Sequence, residues 1–185
     1  MLGVDGGIEG VGQGAWLGPI DPANAAAAGT DAGGTGYQRP EDLEIIGHVL
    51  YAAVTEGTRT GGREAYDGRV LAIDLTSMAV SDFVKPGVNA PVEINGTQTG
   101  LDNPDNLAEG PDGRLWIVED NVPSDIWVAE GRGAQARSIE LFASLTDPQA
   151  EGTGIYFGAD PHTLLVNVQH SAAPSGDGTW VITGR

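Results

Sequence analysis

The sequence predicts an all-β protein made of four-stranded antiparallel blades of the β-propeller kind, about three of them, too few to close a ring. Three observations predict this. A motif recurs: "RPEDLEIIGHVLYAAVTE" (39–56) and "NPDNLAEGPDGRLWIVED" (103–120) both run Pro, acid, Asp or Asn, Leu, a turn, an apolar strand and Glu. "EGTGIYFGADPHTLLVNVQH" (151–170) is a weaker third copy. Short apolar runs also recur between the copies, and 29 glycines and 11 prolines favour many tight turns over long helices.

Each element follows in order. In the first unit, "LYAAV" is the second strand, followed by "GRVLAIDL" (68–75) and "AVSDFVKP" (79–86). In the second unit, "RLWIV" is followed by "SDIWVAEG" (124–131) and "RSIELFAS" (137–144). In the third, "TLLVNV" is followed by "GTWVITG" (178–184). The blades span about 39–86, 103–144 and 151–185, within a propeller segment 33–185. Residues 1–32 form an extension or partial blade, in which "GAWLGPI" (14–20) suits an outer strand. "DPANAAAAGT" (21–30) is the one helix-like run, too short to stand alone. Leu50, Trp116 and Leu165 occupy matching strands and are expected between blades.

Composition narrows the partners. Nine Lys and Arg against 26 Asp and Glu give a net charge of −17. Such a surface repels nucleic acid and anionic membranes, and it suits cations. There are no cysteines, so thiolate metal sites and a cysteine nucleophile are excluded. No apolar run reaches the ~20 residues of a membrane helix. The first residues lack the basic and apolar regions of a signal peptide. The compartment stays open.

The repeat places its acids. The innermost strand of each propeller blade lines the central axis, so residues at its start converge at one mouth. Glu41 and Asp105 hold equivalent places there, and Glu151 a similar one. Carboxylates gathered in this way repel unless a cation compensates, and hard oxygen ligands suit Ca²⁺ or Mg²⁺. Asn103 and Asn106 offer amide oxygens. Glu56 and Glu119 end the second strands at the same end, with Asp120 and Asn121 continuing into the loop above. The same residue types also form ordinary turns beside Pro and Gly, and Asp112 in "GPDGRL" is expected to do only that. Arg39 and Arg59 suit a phosphate, and His170 suits proton transfer or metal ligation. Arg59 and Arg63 lie in the Gly-rich loop "GTRTGGREAYDG" (57–68). His48 and His162 sit at turns and carry no expected role. "NGT" at 95–97 matches a glycosylation acceptor by three residues only.

"GTGYQRPEDLEI", "LDNPDNLAEGPDGRLWIVED" and "EGTGIYFGADPHTLLVNVQH", in this order, resemble the PhoX-type alkaline phosphatases and their uncharacterised relatives, over roughly residues 33–185. The resemblance implies a partial β-propeller, a small-molecule phosphate ester as substrate, and a secreted or periplasmic setting. It implies that Glu41 and the acids of the later motifs are metal ligands. The family's iron type uses a cysteine, which this chain lacks, so the resemblance implies Ca²⁺ rather than iron. Two other readings fit the residues: a calcium-dependent lactonase-like propeller hydrolase, and a non-catalytic propeller module for binding or assembly. A second copy of the chain is a candidate partner for completing the propeller.

Overall fold

A computed structural model describes residues 2–5, 10–55, 68–94 and 99–184. It is an all-β structure whose sheets are entirely antiparallel between named strands. The first unit contains β3 (Pro40–Ile46), β4 (Val49–Val54), β5 (Arg69–Asp74) and β6 (Ala79–Val84). The second contains β7 (Pro104–Glu109), β8 (Leu115–Glu119), β9 (Asp125–Glu130) and β10 (Ser138–Ser144). The third contains β11 (Glu151–Phe157), β12 (Thr163–Gln169) and β13 (Gly178–Thr183). Each unit is a meander, with successive strands hydrogen-bonded as neighbours, as in a propeller blade.

The N-terminal segment adds a hairpin, β1 (Leu2–Asp5) and β2 (Gly12–Trp16), to the outer edge of blade one. Pairing of Gly12 with Val80 and Gln13 with Ala79 joins β2 to β6. The sheet curls, and Leu2 packs on Leu50, Ile73 and Val80. A 3-10 turn (Pro22–Asn24) and a short helix, α1 (Ala25–Asp31), follow. Asp21 starts the turn by accepting a hydrogen bond from the Ala23 N–H at 2.9 Å.

The second strands of blades one and two read as near-continuous apolar runs because both faces are covered. Every residue of β4 and of β8 is buried. Strand parity then divides each one between two interfaces. In β8, Leu115 and Ile117 face blade one and pack with Tyr51, Phe83, Leu107 and Trp127. Trp116 and Val118 face blade three and pack with Ile155, Leu164 and Val166. Trp116 lies edge-on to Phe157, with ring centroids 5.0 Å apart.

Parity also corrects two burial expectations. Tyr51, one residue on from Leu50, carries the blade-one to blade-two contact. Leu50 is buried on the opposite face, beneath the N-terminal hairpin. Leu165 is only half-buried, because its neighbours Leu164 and Val166 hold the inward positions.

Candidate functional site

Strands β3, β7 and β11 lie side by side as the inner strands, and all three begin at the same end. Strands β4, β8 and β12 return to that end, as the pairs Pro40–Val54, Pro104–Glu119 and Glu151–Gln169 show. Each inner strand breaks register in its first residues, between Pro40 and Leu43, Pro104 and Asn106, and Thr153 and Ile155. Such bulges re-aim side chains at strand ends. Asp105 is the residue left out of the pairing in blade two.

The backbone is unusual here. Among the described residues, four non-glycine residues have positive φ, and three of them lie at this mouth: Arg39 (48°), Asn103 (46°) and His170 (61°). Arg39 and Asn103 hold the same repeat position, each just before a proline. Left-handed conformations at non-glycine residues cost free energy and collect at functional sites.

Asp105 is the centre of a charged group. The guanidinium of Arg39 donates from Nε to Glu41 Oε1 at 3.0 Å and from Nη2 to Asp120 Oδ2 at 2.7 Å. This one cation therefore ties the acid of blade one to an acid of blade two, and both carboxylates hold Arg39 firmly protonated. Asp105 accepts no hydrogen bond from the described residues. Partial burial, together with the charges of Asp120, Glu41 and Glu151, pushes its carboxyl up to about 6, and Arg39 offsets this only in part. Glu151 is held by Gln169, whose Nε2 donates to its Oε1 at 2.5 Å. Carboxylates from all three blades thus act on Asp105, and Arg39 pairs with two of them.

Other candidate residues are placed differently. Glu119 is 1% exposed. Its Oε1 accepts from the Asp102 N–H and from Trp127 Nε1, both at 2.8 Å. It lies on the blade-one face of β8, and burial pushes its carboxyl up to about 9. Its neighbour Asp120, of opposite parity, reaches the mouth. Asn106 turns toward the next blade: its Oδ1 accepts from the Gly154 N–H at 2.5 Å and from Thr153 Oγ1 at 3.2 Å. The Asn103 amide is satisfied when its nitrogen faces the Thr55 carbonyl at 2.8 Å and Asp102 Oδ1 at 3.1 Å. His170 is exposed at the end of β12, without a hydrogen bond or ion pair to the described residues. Arg59, Arg63, Glu56 and the 95–97 match lie outside the described residues.

Three residues that hold the site together carried no expected role. Asp42 Oδ2 accepts from the Leu107 N–H at 2.9 Å and so joins β3 to β7. Asn106 repeats this link from β7 to β11, and the two residues hold the same position in the motif copies. Thr55 donates from Oγ1 to the Pro104 carbonyl at 3.0 Å. Ser124 donates to the Glu119 carbonyl at 2.7 Å and accepts from the Gly152 N–H at 3.0 Å. Gly152 must be glycine for this approach, because a Cβ would come within 2.6 Å of Val118 and 2.7 Å of Ser124 Oγ. The signal for Asp42 was available in the aligned "PED" and "PDN"; that for Ser124 was not, since it depends on a contact between blades.

These blades define a propeller-like all-β protein, with acids of all three blades acting on Asp105 at one end of the inner strands. The model of the alkaline phosphatase PhoX family matches residues 18–172, and the chain belongs to that family. A solved structure, Pseudomonas fluorescens PhoX in complex with vanadate, a transition state analogue, shares the fold with a TM-score of 0.61 at 21% identity. The match covers 86% of this chain and 36% of that one, so the chain spans about a third of the length of that structure. No curated protein matches the chain at a significant level.

Proposed function

We propose that the mouth is part of the active site of a metal-dependent phosphate ester hydrolase. The observation that carries this reading is Asp105: a partly buried carboxylate that accepts no hydrogen bond from the described residues and feels the charges of Asp120, Glu41 and Glu151. Among the described residues, no three acids or histidines already converge as a complete metal-binding group. The donor chemistry nonetheless fits a hard cation, because the candidate carboxylate and amide donors are oxygen and, among the described residues, Arg39 offsets the charge around Asp105 only in part.

Asp105, Glu41 and Glu151 would hold the ion, with Ca²⁺ favoured over iron because the chain has no cysteine. When bound, a divalent ion neutralises phosphoryl oxygens and acidifies a coordinated water. Arg39 binds the phosphoryl group through the fork of its guanidinium. Asp120 keeps that fork aimed, and His170, exposed at the rim, moves a proton at an imidazole nitrogen. Arg59 joins the same proposal as a second phosphate ligand on sequence grounds alone. The substrate is a small phosphate ester, monoester or diester.

The test pairs binding with turnover. Calcium titration by calorimetry should show saturable binding in the wild type and its loss in Asp105→Asn. Hydrolysis of a phosphomonoester, a phosphodiester and a lactone is then compared with and without chelator. Calcium-dependent hydrolysis of a phosphate ester supports the proposal. A chain that binds no divalent ion, or that hydrolyses only the lactone, overturns it.

A further inference from the structure

The end of blade two opposite the mouth carries the reverse charge balance. There the β7–β8 turn and the β9–β10 loop enclose a cavity of about 570 Å³, lined by Asp112, Gly113, Arg114, Glu130, Arg132 and Arg137, among others. Three of the chain's nine basic residues therefore line one hollow in a protein of net charge −17. Arg114 Nε pairs with Asp112 Oδ2 at 2.6 Å, and Arg137 Nη2 pairs with Glu130 Oε1 at 3.0 Å. Arg132 makes no ion pair or hydrogen bond with the described residues. Its guanidinium lies over the bare Cα of Gly113, where a Cβ would collide with Nη2.

The loop bearing Arg132 is fixed by blade one. The Ala136 N–H donates to the Phe83 carbonyl at 2.9 Å, and Asn89 Nδ2 donates to the Ala136 carbonyl at 3.2 Å. Ser81 Oγ donates to the Ala134 carbonyl at 2.8 Å, and the Gly133 N–H donates to the Tyr51 hydroxyl at 3.3 Å. The backbone that carries this guanidinium is thus held at a set place, between Arg114 and Arg137, each of which gives part of its fork to a carboxylate. Planar forks of this kind suit tetrahedral oxyanions.

We propose that this cavity is a binding site for a small tetrahedral oxyanion such as inorganic phosphate, separate from the mouth. Arg132 is the principal ligand, and Arg114 and Arg137 complete the positive wall.

Inorganic phosphate and sulfate are titrated into the full chain at constant ionic strength, with chloride as the balancing salt. The arginine Nε resonances are followed by NMR. The expected result is a saturable shift of the Arg132 resonance in the wild type, accompanied by shifts of Arg114 and Arg137; followed on those two, affinity is about tenfold weaker in Arg132→Met and intermediate in Arg132→Lys. Arg39→Met, at the mouth, should leave the Arg132 shift unchanged, which separates this site from phosphate bound at the proposed active site. A response that does not saturate, that chloride reproduces, or that persists unchanged in a folded Arg132→Met chain overturns the proposal. The wild-type resonance decides the matter even if the variant fails to fold.

Discussion

The two ends of blade two meet opposite charges with the same scaffold. At the mouth, Asp105 feels the charges of Asp120, Glu41 and Glu151, and Arg39 pairs with Glu41 and Asp120. At the far end, Arg114, Arg132 and Arg137 outnumber Asp112 and Glu130. Also at the mouth end, Glu119 is an acid that the fold has fully absorbed. The difference teaches that position in the acid-rich motif does not decide a carboxylate's role. What decides it is whether the surrounding backbone and side chains offer donors. Glu119 has an amide and an indole aimed at it; Asp105 has neither.

Glu119→Ala should have the largest effect. It strands the Asp102 amide and the Trp127 indole in a closed interior and opens a void, at an expected cost of about 3 kcal/mol. Glu119→Gln keeps an acceptor and should cost much less. Urea unfolding of both variants checks this. Equal losses in the two would show that shape, and not hydrogen bonding, holds Glu119, and the contrast with Asp105 would weaken.

The links between blades come next. Asn106→Ala removes the acceptor for the Gly154 amide, and Asp42→Ala removes that for the Leu107 amide, each at about 1–2 kcal/mol. Protection of the Gly154 and Leu107 amides from hydrogen exchange should fall in the matching variant only. A loss of calcium binding in Asn106→Ala without such a change would instead make Asn106 a ligand.

Much of the fold was legible because the repeat carries it. The motif copies located the strands, and the outer strand expected near "GAWLGPI" is the β2 that pairs with β6. What the repeat could not supply was parity at each strand's end. Glu119 and Asp120 are adjacent, and a bulge or one residue of register decides which of them reaches the mouth. Tyr51 against Leu50 is the same ambiguity within the core. The arginine cavity was invisible for another reason: Arg114 and Arg132 lie on different loops, and their meeting depends on how blade one grips the β9–β10 loop.

The mouth itself should respond to pH. Asp105 in the folded chain titrates near 6, against about 3.9 in an unfolded one. The folded state therefore holds this proton more tightly. That contribution to stability is fully present below about pH 4 and is lost as pH rises through 6. Without divalent ions, melting temperature should drop between pH 5 and 7 more in the wild type than in Asp105→Asn. Calcium should restore it in the wild type alone. Identical profiles for the two chains would remove Asp105 from the centre of the site.

Asp112→Asn should change stability least, and it separates the two ends most cleanly. Asp112 shapes the turn by accepting from the Arg114 N–H at 3.1 Å, and Asn can keep that bond. Its ion pair with Arg114 is solvent-exposed on both sides, so losing the charge should cost about 0.5 kcal/mol or less. Calcium binding at the mouth should stay as in the wild type, because none of the acids around Asp105 is touched. At the arginine end the same change removes one of two negative charges and releases the Arg114 guanidinium from its carboxylate. Oxyanion affinity there should rise, by about two- to fivefold at low ionic strength, and the gain should fade as salt screens it. A variant that loses calcium binding would tie the two ends of the blade together; one in which phosphate affinity falls would make Asp112 the residue that positions Arg114, rather than a charge that competes for it.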